Sequence, residues 1–155
     1  MSSSATLVDR LRPLLAEHTI GEQLYVVALL ESRSAERYRE WAGQVSDSAL
    51  ARSLRQCADR EDEIAKRIRE RFAAVLRPPG DFERLAQKIQ AEVADLFGGR
   101  TREQQFRIQG EAERGGEQFW VDLAAAEKDQ ETRRALLEYA ALEAGSAEFL
   151  ESLGG

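Results

Sequence analysis

Four glutamates, Glu31, Glu61, Glu113 and Glu143, carry the clearest chemical signal in this 155-residue chain. Each falls on a stripe of apolar residues that recurs at alternating steps of four and three, the seam by which a helix packs into a bundle. In the first stretch the stripe is Leu24, Ala28, Glu31, Ala35, Tyr38, Ala42 and Val45; in the second it is Leu50, Leu54, Cys57, Glu61, Ile64, Ile68 and Phe72. Leu136, Tyr139, Glu143, Ser146 or Ala147, and Leu150 repeat the pattern, and Phe106, Gly110, Glu113, Trp120 and Ala124 do so less cleanly. An ionised carboxylate on a buried stripe costs several kcal/mol unless it is paired or binds a cation. Carboxylates that project inward from four antiparallel helices at one level hold a pair of metal ions, so the four glutamates are candidate metal ligands. The competing reading is that each stripe drifts outward and leaves its glutamate partly solvated. Asp62, Glu63, Glu117 and Glu148 lie beside the four in sequence and are expected to be solvated neighbours, with extra oxygen ligation as their alternative role.

The elements that must position these acids repeat at an offset of 82 residues. Thr19-Ile-Gly-Glu22 and Thr101-Arg-Glu-Gln104 both read as capping boxes, in which a Thr hydroxyl and a Glu or Gln three residues on satisfy free amides of a first helical turn. The same offset places Glu31 on Glu113, Asp47 on Asp129, Leu54 on Leu136 and Glu61 on Glu143, and it makes ten of the 47 positions from 19 to 65 identical. Caps, turns and glutamates agreeing at one offset indicate an internal duplication. The map expected from periodicity is a short helix near 5–17, long helices at 20–44 and 47–76, a break at Pro78-Pro79-Gly80, a short helix at 81–97, and long helices at 102–127 and 130–152. Asp47 and Asp129, or a Ser beside Asp47, are the expected N-caps between paired helices. Short turns make each pair antiparallel. One all-α domain spanning 1–155 is expected, with repeat halves at about 5–76 and 81–152.

Leu30-Glu-Ser-Arg-Ser-Ala-Glu-Arg-Tyr38, followed by Ala58-Asp-Arg-Glu-Asp-Glu-Ile-Ala-Lys-Arg67, resembles the helical domain of rubrerythrins in the ferritin-like superfamily. The resemblance implies a ferritin-like antiparallel four-helix bundle of two hairpins with short accessory helices. It also implies a dimetal site in which Glu31, seven residues before Tyr38, and Glu61 are repeated by Glu113 and Glu143. The chain departs from the family where each Glu-x-x-His motif would place its histidine, since Ile64 and Ser146 stand there, and the family's extra third-helix glutamate maps near Gly116. The four-cysteine rubredoxin module is absent, which argues against peroxidase electron transfer of that type. Imidazole favours iron and zinc, whereas oxygen donors alone suit Mn, Mg, Ca or weakly held iron. Two Fe or Mn ions and no ion at all are both open. An active site of this kind would make the chain a non-haem dimetal oxidoreductase. The alternative is a non-catalytic helical interaction module descended from a di-iron protein.

Composition bounds the rest. With 43% hydrophobic and 32% charged residues, three Pro and eleven Gly, the chain is rich enough in helix formers and apolar residues for a packed helical core. The longest apolar run, Leu24 to Leu30, is far shorter than the roughly 20 residues of a spanning helix, and no secretory signal is legible at the start. A cytoplasmic protein without a membrane partner is expected. Cys57 is alone and His18 is the sole histidine, which rules out internal disulfides and multi-His sites. A net charge of −6 with interspersed signs offers no basic face for nucleic acid. A homodimer is the expected assembly. Lys66 to Arg71 reads as a solvated helix face. Gly115-Gly116 inside a helix implies that close packing, a kink or an access path uses the missing side chains. Tyr38, Trp41, Phe119 and Trp120 read as core. The Tyr38 hydroxyl is suited to a carboxylate, a service that Trp120 is not expected to provide.

Overall fold

A computed structural model describes residues 5–154. They form six helices, α1 (Leu7–Leu15), α2 (Ile20–Gln44), α3 (Ser48–Arg71), α4 (Phe82–Phe97), α5 (Arg102–Ala126) and α6 (Gln130–Leu153), with no strand among them. All four bounds of the α2–α3 pair recur in α5–α6 at an offset of 82 residues. The fold is an all-helical bundle. No helix among the described residues is long and apolar enough to cross a membrane. Packing divides the chain into two compact units, one from His18 to Pro78 and the other from Pro79 onward together with the α1 segment.

In the first unit α2 and α3 pack along their length as a hairpin. Leu24, Leu54, Ile64 and Ile68 are fully enclosed, and each such side chain contributes roughly 1.5–3 kcal/mol of burial. Asp47 caps α3 by accepting from the Leu50 amide at 2.9 Å. Thr19 caps α2 by accepting from the Glu22 amide at 3.3 Å. The expected box is only half formed, because the Glu22 carboxylate accepts from the Thr19 hydroxyl at 3.0 Å and lies 2.8 Å from His18 Nδ1. His18, one residue before the cap, competes for the carboxylate that would otherwise turn back to the Thr19 amide. α3 ends at Arg71, five residues before the expected bound of 76. Leu76 and Val75 amides both return to the Phe72 carbonyl in a tight turn, and Pro78 and Pro79 disfavour helix just beyond. That turn lays the Val75 backbone across the first turn of α2 at Gly21, where a Cβ would stand 2.1 Å from the Val75 carbonyl oxygen.

In the second unit α5 and α6 form the equivalent hairpin, and α1 packs on α4 and α5. Thr101 and Gln104 complete the reciprocal capping box, with Gln104 Oε1 accepting from the Thr101 amide at 2.9 Å. Asp129 caps α6 by accepting from the Thr132 amide at 2.9 Å. α1 carries a box of its own at Thr6 and Asp9, which pattern reading missed. It is shorter than expected and runs through Pro13, which has no amide to give to Asp9. Arg10 ties α1 to α4 through Asp95 at 2.6 Å and Glu92 at 3.2 Å. α4 stops at Gly98-Gly99, where Gly99 takes a φ of 70°, a conformation that costs glycine little.

Two outcomes follow from the first unit. Gly21→Ala should destabilise the protein by about 1–3 kcal/mol, since backbone must move to admit the methyl group. Gly43→Ala, in the same helix but with nothing within 4 Å of the added Cβ, should stabilise by up to about 1 kcal/mol through helix propensity. Urea denaturation of both variants checks the opposite signs. The hydrogen bonds from His18 and then Thr19 lower the Glu22 pKa from its ordinary 4.5. A depressed folded value contributes stability that is present above pH 4.5 and is lost as pH falls through the lower folded value. Glu22→Gln should therefore flatten the acid limb of a stability–pH curve; an unchanged limb would remove this pair from the account.

Candidate metal centre

Helical spacing brings Glu31 of α2 and Glu61 of α3 together within the first hairpin. Glu31 lies between Ala28 and Ala35, and Glu61 between Cys57 and Ile64, all enclosed positions. The two acids are 8% and 1% exposed, and a carboxylate oxygen of one lies within 4.8 Å of an oxygen of the other. Tyr38, two turns beyond Glu31, is fully buried and meets Trp41 edge to face at 5.6 Å. Ile64 is fully buried one turn beyond Glu61 and presents only hydrocarbon where an imidazole would stand.

The second hairpin buries Glu113 and Glu143 to 2% exposure each but treats them differently. Gln109, also 2% exposed and one turn before Glu113 on the same face, donates its amide to Glu113 Oε1 at 2.8 Å. Trp120 donates its indole N–H to Glu143 Oε1 at 3.3 Å. The expectation that Trp120 could not serve a carboxylate as a tyrosine does is thus corrected: an indole carries one donor, and here it is aimed at the acid. Phe119 and Tyr139 hold the indole by edge-to-face contacts at 4.9 Å and 5.2 Å. Ser146 is fully buried one turn after Glu143.

Gly115 and Gly116 each make a separate close approach. A Cβ on Gly115 would lie 2.2 Å from Val8 Cγ2, so this glycine lets α1 settle on α5. A Cβ on Gly116 would lie 2.9 Å from the Cδ and Oε2 atoms of Glu143, so this one forms the cradle of the carboxylate. Both are uses of close packing, and the second belongs to the candidate site.

The neighbouring acids face elsewhere. Asp62 binds Arg39 at 2.6 Å, Glu63 binds Arg67 at 2.8 Å and Glu117 binds Arg114 at 3.0 Å, while Glu148 is exposed. Surface pairs of this kind contribute little to stability. The Lys66–Arg71 stretch is mostly solvated as expected, although Arg69 reaches back to Ser32 Oγ at 3.2 Å. Gln109 is the site residue that the stripe reading passed over. Its signal was its place four residues before Glu113, the spacing at which helical side chains meet.

No family model, curated protein or solved structure matches the chain. The rubrerythrin donor pattern therefore has to be tested on the residues themselves. Ile64, Ser146 and Gly116 supply none of the two imidazoles and the extra carboxylate of that pattern, so the donor set does not fit its dimetal pair. What is left is an all-oxygen set of buried glutamates, the chemistry of a hard divalent cation.

The cradle at Gly116 yields a double-mutant cycle. Gly116→Ala alone should push the Glu143 carboxylate away from Trp120 and destabilise the protein, whereas in a Glu143→Ala background the methyl group has room. A coupling of about 1–3 kcal/mol is expected from chemical denaturation of the four proteins; additive effects would show that the carboxylate does not use this space.

Proposed function

We propose that the chain is a rubrerythrin-related, ferritin-like protein whose two hairpins close on one another as a four-helix bundle, directing their glutamates to a divalent-cation site without imidazole. The observation that carries this reading is the burial of Glu31, Glu61, Glu113 and Glu143 at equivalent positions of a repeat whose helix bounds all recur at one offset. Glu31 and Glu61, whose carboxylate oxygens meet within one hairpin, are the first candidate ligands of an ion, with Glu113 and Glu143 as the candidates that the repeat supplies. Oxygen donors alone select Mn(II), Mg(II) or Ca(II), with Fe(II) held more weakly. An oxidase role in the manner of the resembled family needs an ion that changes valence, which confines it to Mn or Fe.

A second reading, a non-catalytic interaction module descended from such a protein, draws on the second hairpin. There Gln109 and Trp120 satisfy two of the acids with neutral donors, so part of the original ligand set is held without metal.

Protein purified without chelator and titrated with Mn(II) separates the two. The site reading expects saturable, stoichiometric uptake and a concentration-dependent rise in Tm, equivalent to about 2.7 kcal/mol at a hundredfold excess over Kd. Uptake should weaken at acid pH, because carboxylate ligands must be deprotonated. Glu31→Gln combined with Glu61→Gln should abolish both effects. Absence of stoichiometric metal after reconstitution with Mn(II) and with Fe(II) would leave the interaction module as the function.

A further inference from the structure

On α6 the enclosed stripe of Leu136, Tyr139, Glu143, Ser146 and Leu150 has a second stripe behind it. Arg134, Leu137, Ala141, Ala144 and Glu148 stand two residues before each of these, about 200° round the helix. They recur at the same steps of three and four, the spacing of a packing seam. Leu137 is 45% exposed, Arg134, Ala141 and Glu148 are exposed, and Ala144 is half-buried. The first hairpin makes the equivalent face an ordinary charged surface. There Arg39 reaches from α2 to Asp62 at 2.6 Å and Asp59 at 3.3 Å, among Arg52, Arg55 and Lys66. At the positions of Arg39, Asp59, Asp62 and Arg55 the second hairpin has Val121, Ala141, Ala144 and Leu137. The repeat thus sets Val121, 39% exposed, across the α5–α6 seam from the two alanines.

From this we infer that the outer face of α6, flanked by Val121, docks on the same face of a second copy of the chain, antiparallel about a two-fold axis at Ala141. The inference goes beyond the cation-site reading and does not depend on it, because the face lies wholly within the second unit and on the side of α6 away from Glu143. Charge complementarity selects the occupant. Arg134 and Glu148 lie seven residues on either side of Ala141, so an antiparallel two-fold pairing brings Arg134 to Glu148 of the partner subunit, twice per dimer. A parallel pairing would oppose like charges. Leu137 then falls beside Ala144 and Gly145 of the partner subunit, a large side chain over small ones. Alanines at the centre let the helix axes approach to about 8 Å. One hairpin face belongs to the small end of specific interfaces, below about 1,200 Å² in total, which corresponds to a Kd of about micromolar order.

Sedimentation equilibrium of the intact chain, from about 1 μM to about 500 μM, tests this. A reversible monomer–dimer equilibrium is expected. Leu137→Arg, which copies Arg55 of the first hairpin, should weaken it by more than about tenfold. Arg134→Glu and Glu148→Arg should each weaken it by about tenfold, and both together in one chain should restore it to within about threefold. Positions 134 and 148 are about 21 Å apart along one helix, out of reach within a single copy, so restoration reports a contact between copies. The substituted side chains are exposed, and circular dichroism should show unchanged helix content. A chain that stays monomeric throughout would overturn the inference. So would a dimer indifferent to Leu137→Arg, or a charge exchange that fails to restore association.

Discussion

A carboxylate on the inward face of a helix must be met by something, because hydration is lost there and the chain gives up several kcal/mol if nothing replaces it. Much of what is unusual in this chain follows from meeting that demand four times. Gln109 is buried where the first hairpin has the half-exposed Val27, and Trp120 stands where the first hairpin has Tyr38. Gly116 gives up a side chain in mid-helix at a cost of about 1 kcal/mol in propensity, and the space goes to the Glu143 carboxylate. The aromatic contacts around Trp120 serve the same end, since an indole fixed by Phe119 and Tyr139 keeps its single donor on target.

Duplication of a hairpin does not imply duplication of its surroundings. The α5–α6 hairpin is part of a larger unit, in which α1 packs on α5 through Gly115 and is tied to α4 through Arg10. Gly115 and Gly116 point about 100° apart around the helix, so adjacent residues serve a neighbouring helix and a buried acid at once. The α2–α3 hairpin uses its own return segment instead, with the Val75 carbonyl against Gly21. Each hairpin is thus braced by a glycine contact, but the contacts sit at unrelated positions of the repeat.

Elements set by local chemistry were legible in the sequence. Thr101, Asp47 and Asp129 cap their helices as their residue types predict, because a cap depends on groups three residues apart. Burial of the four glutamates was likewise legible from a stripe with a period of 3.6 residues. What depended on contacts between distant segments was not. The early end of α3 at Arg71 comes with a turn on the Phe72 carbonyl that sets Val75 against Gly21, a contact between distant segments that no local pattern announces. The half-formed box at Thr19 turns on His18, one residue outside the motif. Trp120 was not legible as a carboxylate partner because an indole has no hydroxyl, although any oriented donor suffices, and Gln109 was not because glutamine is ordinarily a surface residue.

Neutral donors and cations solve different parts of the problem. An amide or indole N–H stabilises a carboxylate locally, yet the net charge of the core is unchanged by it, and two like charges about 4 Å apart still repel by about 4 kcal/mol at the effective dielectric near a protein surface. The Gln109 and Trp120 contacts supply Glu113 and Glu143 with hydrogen-bond donors but with no positive charge. Glu31 and Glu61 bring oxygens within 4.8 Å of each other in an enclosed hairpin. A cation placed there would offset the repulsion of two ionised carboxylates, which a neutral donor does not do. Oxygen donors alone suit hard ions, where imidazole would suit borderline ones.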